Sequence, residues 1–137
     1  MTTYDDIFKC FVVNAGIDTS RLPSEDYKIH DMIINGINHY NSKIGSSDYL
    51  GELAGNNLTE AINLKLDGTR LLLLAYCIKY VYLENQLVEF EELWTPFQKD
   101  MGFKNYREQV RGRESTLERT EQKILEYLSK IEDRSLM

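Results

Sequence analysis

The apolar positions of this chain recur mostly at helical spacing. Tyr4, Ile7, Phe8, Phe11 and Val12 fall at i, i+3, i+4, i+7 and i+8, one stripe on a short helix. Thr2 or Thr3 can cap that helix, Asp5 and Asp6 suit its positive end, and Gly16 stops it. With barely three turns it must dock on other elements to be stable. Ser24 reads as the N-cap of a second helix, along which Ile29, Ile33, Ile37, Tyr40 and Ile44 keep the spacing until Gly45 ends it. Gly36 in its middle costs about 1 kcal/mol relative to alanine, which a close helix crossing would explain.

Residues 45–63, with Gly45, Ser46, Ser47, Gly51, Gly55, Asn56 and Asn57, form the one extended loop-like stretch. A loop this long in a small domain is usually functional, mobile or ordered by a partner. Inside and after it, Asn63-Leu64-Lys65-Leu66-Asp67 alternates like one short strand or an extended edge segment. Asp67 can cap a third helix that begins around Gly68-Thr69-Arg70 and carries LLLLAYCIKYVYL at 71–83. Leu71 through Leu74 leave no polar face, so this helix should lie at the centre of the domain. The run is broken by Lys79 and is shorter than the about 20 residues a bilayer span needs, so a buried helix is expected.

Phe90, Leu93, Trp94, Phe97 and Met101 then resume the stripe. Pro96 leaves two alternatives: one long helix kinked there, or a new helix capped by Thr95 with Pro96 at its first position. From roughly 104 to 133, Phe103, Val110, Leu117, Ile124 and Ile131 recur every seven residues, while Tyr106, Arg113, Thr120 and Tyr127 occupy the second seam. A helix of about 28 residues spans about 42 Å, more than such a domain is wide, so part of it should project and touch another chain. The fold expected is all-α. It is a small bundle of four to five helices with a long, partly projecting C-terminal helix and one extended loop or short strand segment around 45–66. Residues 1–103 would form the core and 104–137 a C-terminal arm of the same domain.

Composition narrows the function classes. A chain of 137 residues with 42% hydrophobic and 28% charged residues suits one domain, and a net charge of −6 disfavours a globally basic nucleic-acid or membrane-surface binder. The charge is uneven: residues 1–103 carry −7 and residues 104–137 carry +1, with half of all the cations in the last quarter. Asp5 and Asp6 stand where a secretory signal would place Lys or Arg, so no export is expected. Cys10 and Cys77, far apart and each among apolar residues, fit reduced core thiols.

Catalytic patterns are thin. His30 and His39, nine residues apart on one helix, point to opposite faces and cannot share a metal. Asp26, His30 and Asp31 lack a nucleophile, and there is no phosphate-cradling glycine pattern, Cys-x-x-Cys or paired-histidine metalloprotease spacing. No enzyme, metal or cofactor is therefore expected. Arg107 and Arg111 stack on one helix face while Arg113 and Arg119 lie elsewhere around it. They read either as a solvated face with pairs such as Arg111 with Glu114, as a docking surface for an acidic protein, or as a DNA-facing strip, the last weakened by Glu108, Glu114, Glu118 and Glu121.

Thr3-Tyr4-Asp5-Asp6-Ile7-Phe8, Leu66-Asp67-Gly68-Thr69-Arg70 with LLLLAYCIKYVYLEN at 71–85, and FKNYREQVRGRESTLERTEQKI at 103–124 together resemble the head–tail connector, or neck adaptor, proteins of tailed phages and prophages of Gram-positive bacteria. The resemblance implies a structural, non-enzymatic protein forming a homo-oligomeric ring, twelvefold, beneath the portal protein. That ring extends the DNA channel and carries the stopper or tail-completion protein. It implies assembly in the host cytoplasm, a place in the virion neck, passage of DNA without sequence-specific binding, and no membrane partner. Arg107, Arg111, Arg113, Arg119, Ile124 and Leu128 are the expected partner contacts, with the 45–66 loop a contact to a neighbouring subunit or to the next ring. Removing residues 120–137 would then leave the preceding helices folded. The alternatives are a phage packaging or regulatory protein that binds DNA through the Arg-bearing helix, or a stopper or tail-completion ring protein.

Overall fold

In the computed structural model, residues 1–45, 48 and 50–135 are described, apart from the side chains of Gln98, Met101, Arg134 and Ser135. The architecture is all-α. Helix α1 (Tyr4–Ala15), α2 (Asp26–Ile44) and α5 (Phe103–Ser135) surround α3 (Gly68–Trp94), and α4 (Gln98–Met101) is a single turn before α5.

Local sequence chemistry fixes most of the helix ends. The Thr3 hydroxyl accepts the Asp6 amide at 3.2 Å to open α1, and Gly16 closes it at φ +67°. The Asp67 carboxylate accepts the Arg70 amide at 2.8 Å to open α3. Helix α2 departs from expectation: its cap is Glu25, whose carbonyl takes the Lys28 and Ile29 amides, so Ser24 lies one residue too early and makes no cap bond.

Helix α3 is the spine, as Leu71–Leu74 implied. Leu73, Leu74, Ala75, Cys77 and Ile78 are buried beneath the other three long helices. It crosses α2 at Gly36, where an added Cβ would stand 2.2 Å from Ile78 Cγ1 and 3.1 Å from its Cα, so the mid-helix glycine is what lets the two backbones approach. By length and composition α3 reaches what a membrane span requires, because the helix continues well past the apolar run. Its apolar half is the core of the bundle, and its continuation carries Glu84, Glu89, Glu91 and Glu92.

Residues 50–66 are ordered by their own chain. A two-stranded antiparallel ladder pairs β1 (Gly55–Asn56) with β2 (Ala61–Ile62), so the strand precedes the alternating 63–67 stretch instead of occupying it. Residues 2–4 join this ladder. Ile62 donates to the Thr2 carbonyl at 2.9 Å, Tyr4 donates to Glu60 O at 2.8 Å, and the Thr2 hydroxyl accepts the Leu66 amide at 2.8 Å. Asn41 on α2 acts as a further strand mimic, its amide exchanging two 2.9 Å bonds with Leu53.

The turn at Pro96 follows neither alternative. Helix α3 stops at Trp94, Thr95–Phe97 form one 3-10 turn, and the Thr95 hydroxyl bonds back to the Glu91 carbonyl, finishing α3 instead of starting a new helix. After α4, Gly102 at φ +89° reverses the chain, and α5 runs back antiparallel along α3. The 33 residues of α5 extend about 50 Å. What stands beyond the body is therefore a helical hairpin, the last part of α3 with the first part of α5, and not a lone arm.

Candidate docking surface on the helical hairpin

The α5 seam changes character along its length. Near the C-terminus Ile131 and Ile124 are fully buried, and Tyr127 stacks on Tyr76 of α3 at 5.6 Å. Thr120 is buried too, its hydroxyl satisfied by the Thr116 carbonyl at 2.9 Å. Leu117 and Val110, nearer the turn, are only half-buried. The last contacts are aromatic: Tyr106 stacks on Phe90 at 5.9 Å, and the Arg113 guanidinium lies 4.3 Å over that same ring. Past Phe90 the turn packs chiefly on the two helices it joins.

That far end exposes large apolar side chains. Leu93 is 62% exposed, Phe103 57%, Phe97 48% and Val88 48%, with Trp94 bridging Phe90 and Phe97. A single exposed Leu or Phe needs no explanation, whereas several along one helix end are what docking surfaces present. Arg107 covers Phe103 at 4.4 Å, so the rings carry cations over their faces, at about 0.5–1 kcal/mol each.

The expected contact residues divide. Arg107 and Arg111 are exposed near Phe103, beside a shallow hollow of about 250 Å³. Arg113 is half-buried on Phe90, and Arg119 donates to the Thr116 hydroxyl at 3.2 Å. Among the described residues the ion pairs of α5 are Lys43–Glu121, Lys123–Glu126 and Lys130–Glu126, so Arg111 and Glu114 are not paired. Ile124 faces the core with no exposure, so it is not offered to a partner, while Leu128 is packed half-buried against that core. For the same reason a chain ending before residue 120 loses part of its core and cannot leave the preceding helices intact.

Two polar clusters escaped the sequence reading. Arg70, 5% exposed, makes a bidentate pair with the buried Asp48, Nε to Oδ2 at 2.6 Å and Nη2 to Oδ1 at 2.8 Å, and reaches Asp67 at 2.5 Å. The guanidinium holds the Asp48 carboxyl below the usual carboxylate range, and Asp48 also accepts the Leu50 amide at 3.2 Å. This pair locks the long loop to the start of α3. Asp67 three residues before Arg70 was a local signal, but nothing local marked Asp48. The second cluster ties α2 to α5: Lys43 donates to Glu121 at 2.6 Å beside His39, which stacks on Tyr80 at 4.8 Å. Burial, then Lys43, pulls the His39 pKa down.

His30 turns to Glu60 at 3.2 Å and to the Tyr4 ring, away from a triad with Asp26 and Asp31. Cys10 and Cys77 are free thiols, and burial pushes both pKa values up. Among the described residues no group of three or more His, Cys, Asp or Glu is placed to hold a metal ion.

The bundle and its hairpin define a small all-α protein. The chain belongs to the YomZ prophage protein family, whose family model matches residues 1–132 and so spans both the body and the hairpin. It is similar to the SPbeta prophage-derived protein YomZ of Bacillus subtilis (strain 168), 34% identical over 110 residues that cover 80% of each chain. No solved structure matches it.

Proposed function

We propose that the protein is a structural, non-enzymatic head–tail connector. It assembles in the host cytoplasm as a homo-oligomeric ring and docks on the portal protein through the end of the α3–α5 hairpin. In the virion neck it then carries the stopper or tail-completion protein, and DNA passes through the ring. The observation that carries this reading is the row of exposed apolar side chains at the hairpin end, Leu93, Phe97 and Phe103 above all, on a chain of phage origin. A stable protein has little reason to leave such residues uncovered unless another surface covers them.

The same region argues against a DNA-binding regulator. Arg107 and Arg113 lie over aromatic rings, Glu108 and Glu114 directly follow them, and the chain carries −6 overall. Immunogold labelling of particles released by prophage induction, viewed in negative stain, tests the reading. Label at the vertex where head meets tail is the expected result. Particles without the protein, or label along the tail, would overturn it.

A further inference from the structure

A second surface lies between the α1 C-terminus with the segment after it and the two long helices. Lys79 of α3 and Arg119 and Lys123 of α5 line a groove of about 430 Å³ together with Ile17, Tyr76 and Leu83, and no carboxylate lines it. At Gly16, Ile17, Leu83 and Thr116 it continues into a second space of about 420 Å³, where Arg21 and Arg113 face Asp18 and Glu108. That space in turn runs on to Glu89, Phe90, Leu93 and Trp94, so the surplus of cations is confined to the stretch lined by Lys79, Arg119 and Lys123. From Tyr76 to Trp94 the groove follows about 27 Å of α3, room for about eight extended residues.

On a chain with six more acids than bases, this concentration of cations needs a counterpart. Among the described residues Lys79, Arg113 and Arg119 have no carboxylate within ion-pair distance, and the Arg113 Nε is buried with no acceptor. The Lys79 ammonium is disfavoured by burial and by Arg119. The α1 C-terminus, which has no basic residue in its own last turn, brings roughly half a negative charge to the groove, too little for three cations.

We infer that this groove binds an acidic, amphipathic peptide segment of a partner protein. Its apolar residues would lie on Ile17 and Leu83, and its carboxylates would reach Lys79, Arg119 and Lys123. The spread of cations along the groove suits a segment and not a compact phosphate. Two of the aromatic rings along the groove that a single-stranded nucleic acid would stack on are already engaged: Tyr76 stacks on Tyr127, and Phe90 packs against Tyr106 and the Arg113 guanidinium.

The test uses the purified, isotope-labelled full chain, with fluorescein-labelled short peptides that place Glu and Leu on opposite faces, the same peptides with Lys for Glu, inorganic phosphate, and oligothymidine. The acidic peptide should shift the amides of Ile17, Leu83 and Thr116. Lys79→Glu with Arg119→Glu should weaken it by about tenfold or more. Lys123 is half in solvent, where it pairs with Glu126, so Lys123→Gln removes its charge with little effect on the fold and should weaken binding by itself. No shift with the acidic peptide, equal binding of the basic one, affinity indifferent to the charge reversals, or displacement by phosphate or oligothymidine would each overturn the inference. Because the test needs only the isolated protein, its failure leaves the connector reading standing.

Discussion

The two ends of the α3–α5 hairpin use the same helices and the same seven-residue seam for opposite purposes. At the body end, Ile124 and Ile131 meet Leu73, Leu74, Cys77 and Ile78 in a core shared with α1 and α2, and the buried charges there are paired. At the far end the seam positions are Phe103, Tyr106 and Arg113; Tyr106 and Arg113 pack against Phe90, while Leu93, Phe97 and Phe103 stay in solvent. A heptad pattern thus says where a helix is paired, not how deeply. Depth depends on how many other elements close over the pair, and only the body has α1 and α2 to do so.

Substitutions that separate the two ends follow. The largest effect belongs to Arg70→Ala, which leaves Asp48 buried without its partner and should cost about 3–5 kcal/mol in urea unfolding. The double change Asp48→Leu with Arg70→Met, which removes both charges, should recover most of that loss. Ile124→Ala, deep in the core, should cost about 2–5 kcal/mol by the same measurement.

The Asp48 pair also sets a pH dependence. A carboxyl whose folded pKa is depressed contributes stability above its unfolded value of about 3.9, and this is lost as pH falls through the lower folded value. The denaturation midpoint of the native chain should therefore drop on acidification in that window. In the Asp48→Leu, Arg70→Met variant the drop should be shallower. The smallest effect belongs to Phe103→Ala at the hairpin end, which should move stability by no more than about 0.5 kcal/mol.

Much of the fold was legible because it rests on local rules. Thr3, Gly16, Gly45 and Asp67 mark helix ends that the structure keeps, and the unbroken Leu71–Leu74 run correctly marked the central helix. Gly36 was informative for the same reason: a costly residue in mid-helix implied a close crossing, and Ile78 occupies it. What was not legible depends on distant partners. The bond between Asp48 and Arg70 spans a loop whose path no local pattern records. Ile124 lies in the chain's own core and not on a partner surface, and periodicity cannot distinguish burial within the chain from burial against another. Helical spacing separated Arg107 and Arg111 from Arg113 and Arg119, but did not show that Arg113 is half-buried in a groove while Arg107 covers an exposed ring.

The central claim is that the hairpin end is built for a partner and not for stability. Its most direct measurement is the triple change Leu93→Ser, Phe97→Ser and Phe103→Ser, introduced into the inducible prophage and into the purified protein. The account predicts a thermal melting curve close to that of the native chain together with loss of the protein from released particles. Incorporation at the native level by the folded variant, or collapse of the fold, would contradict it.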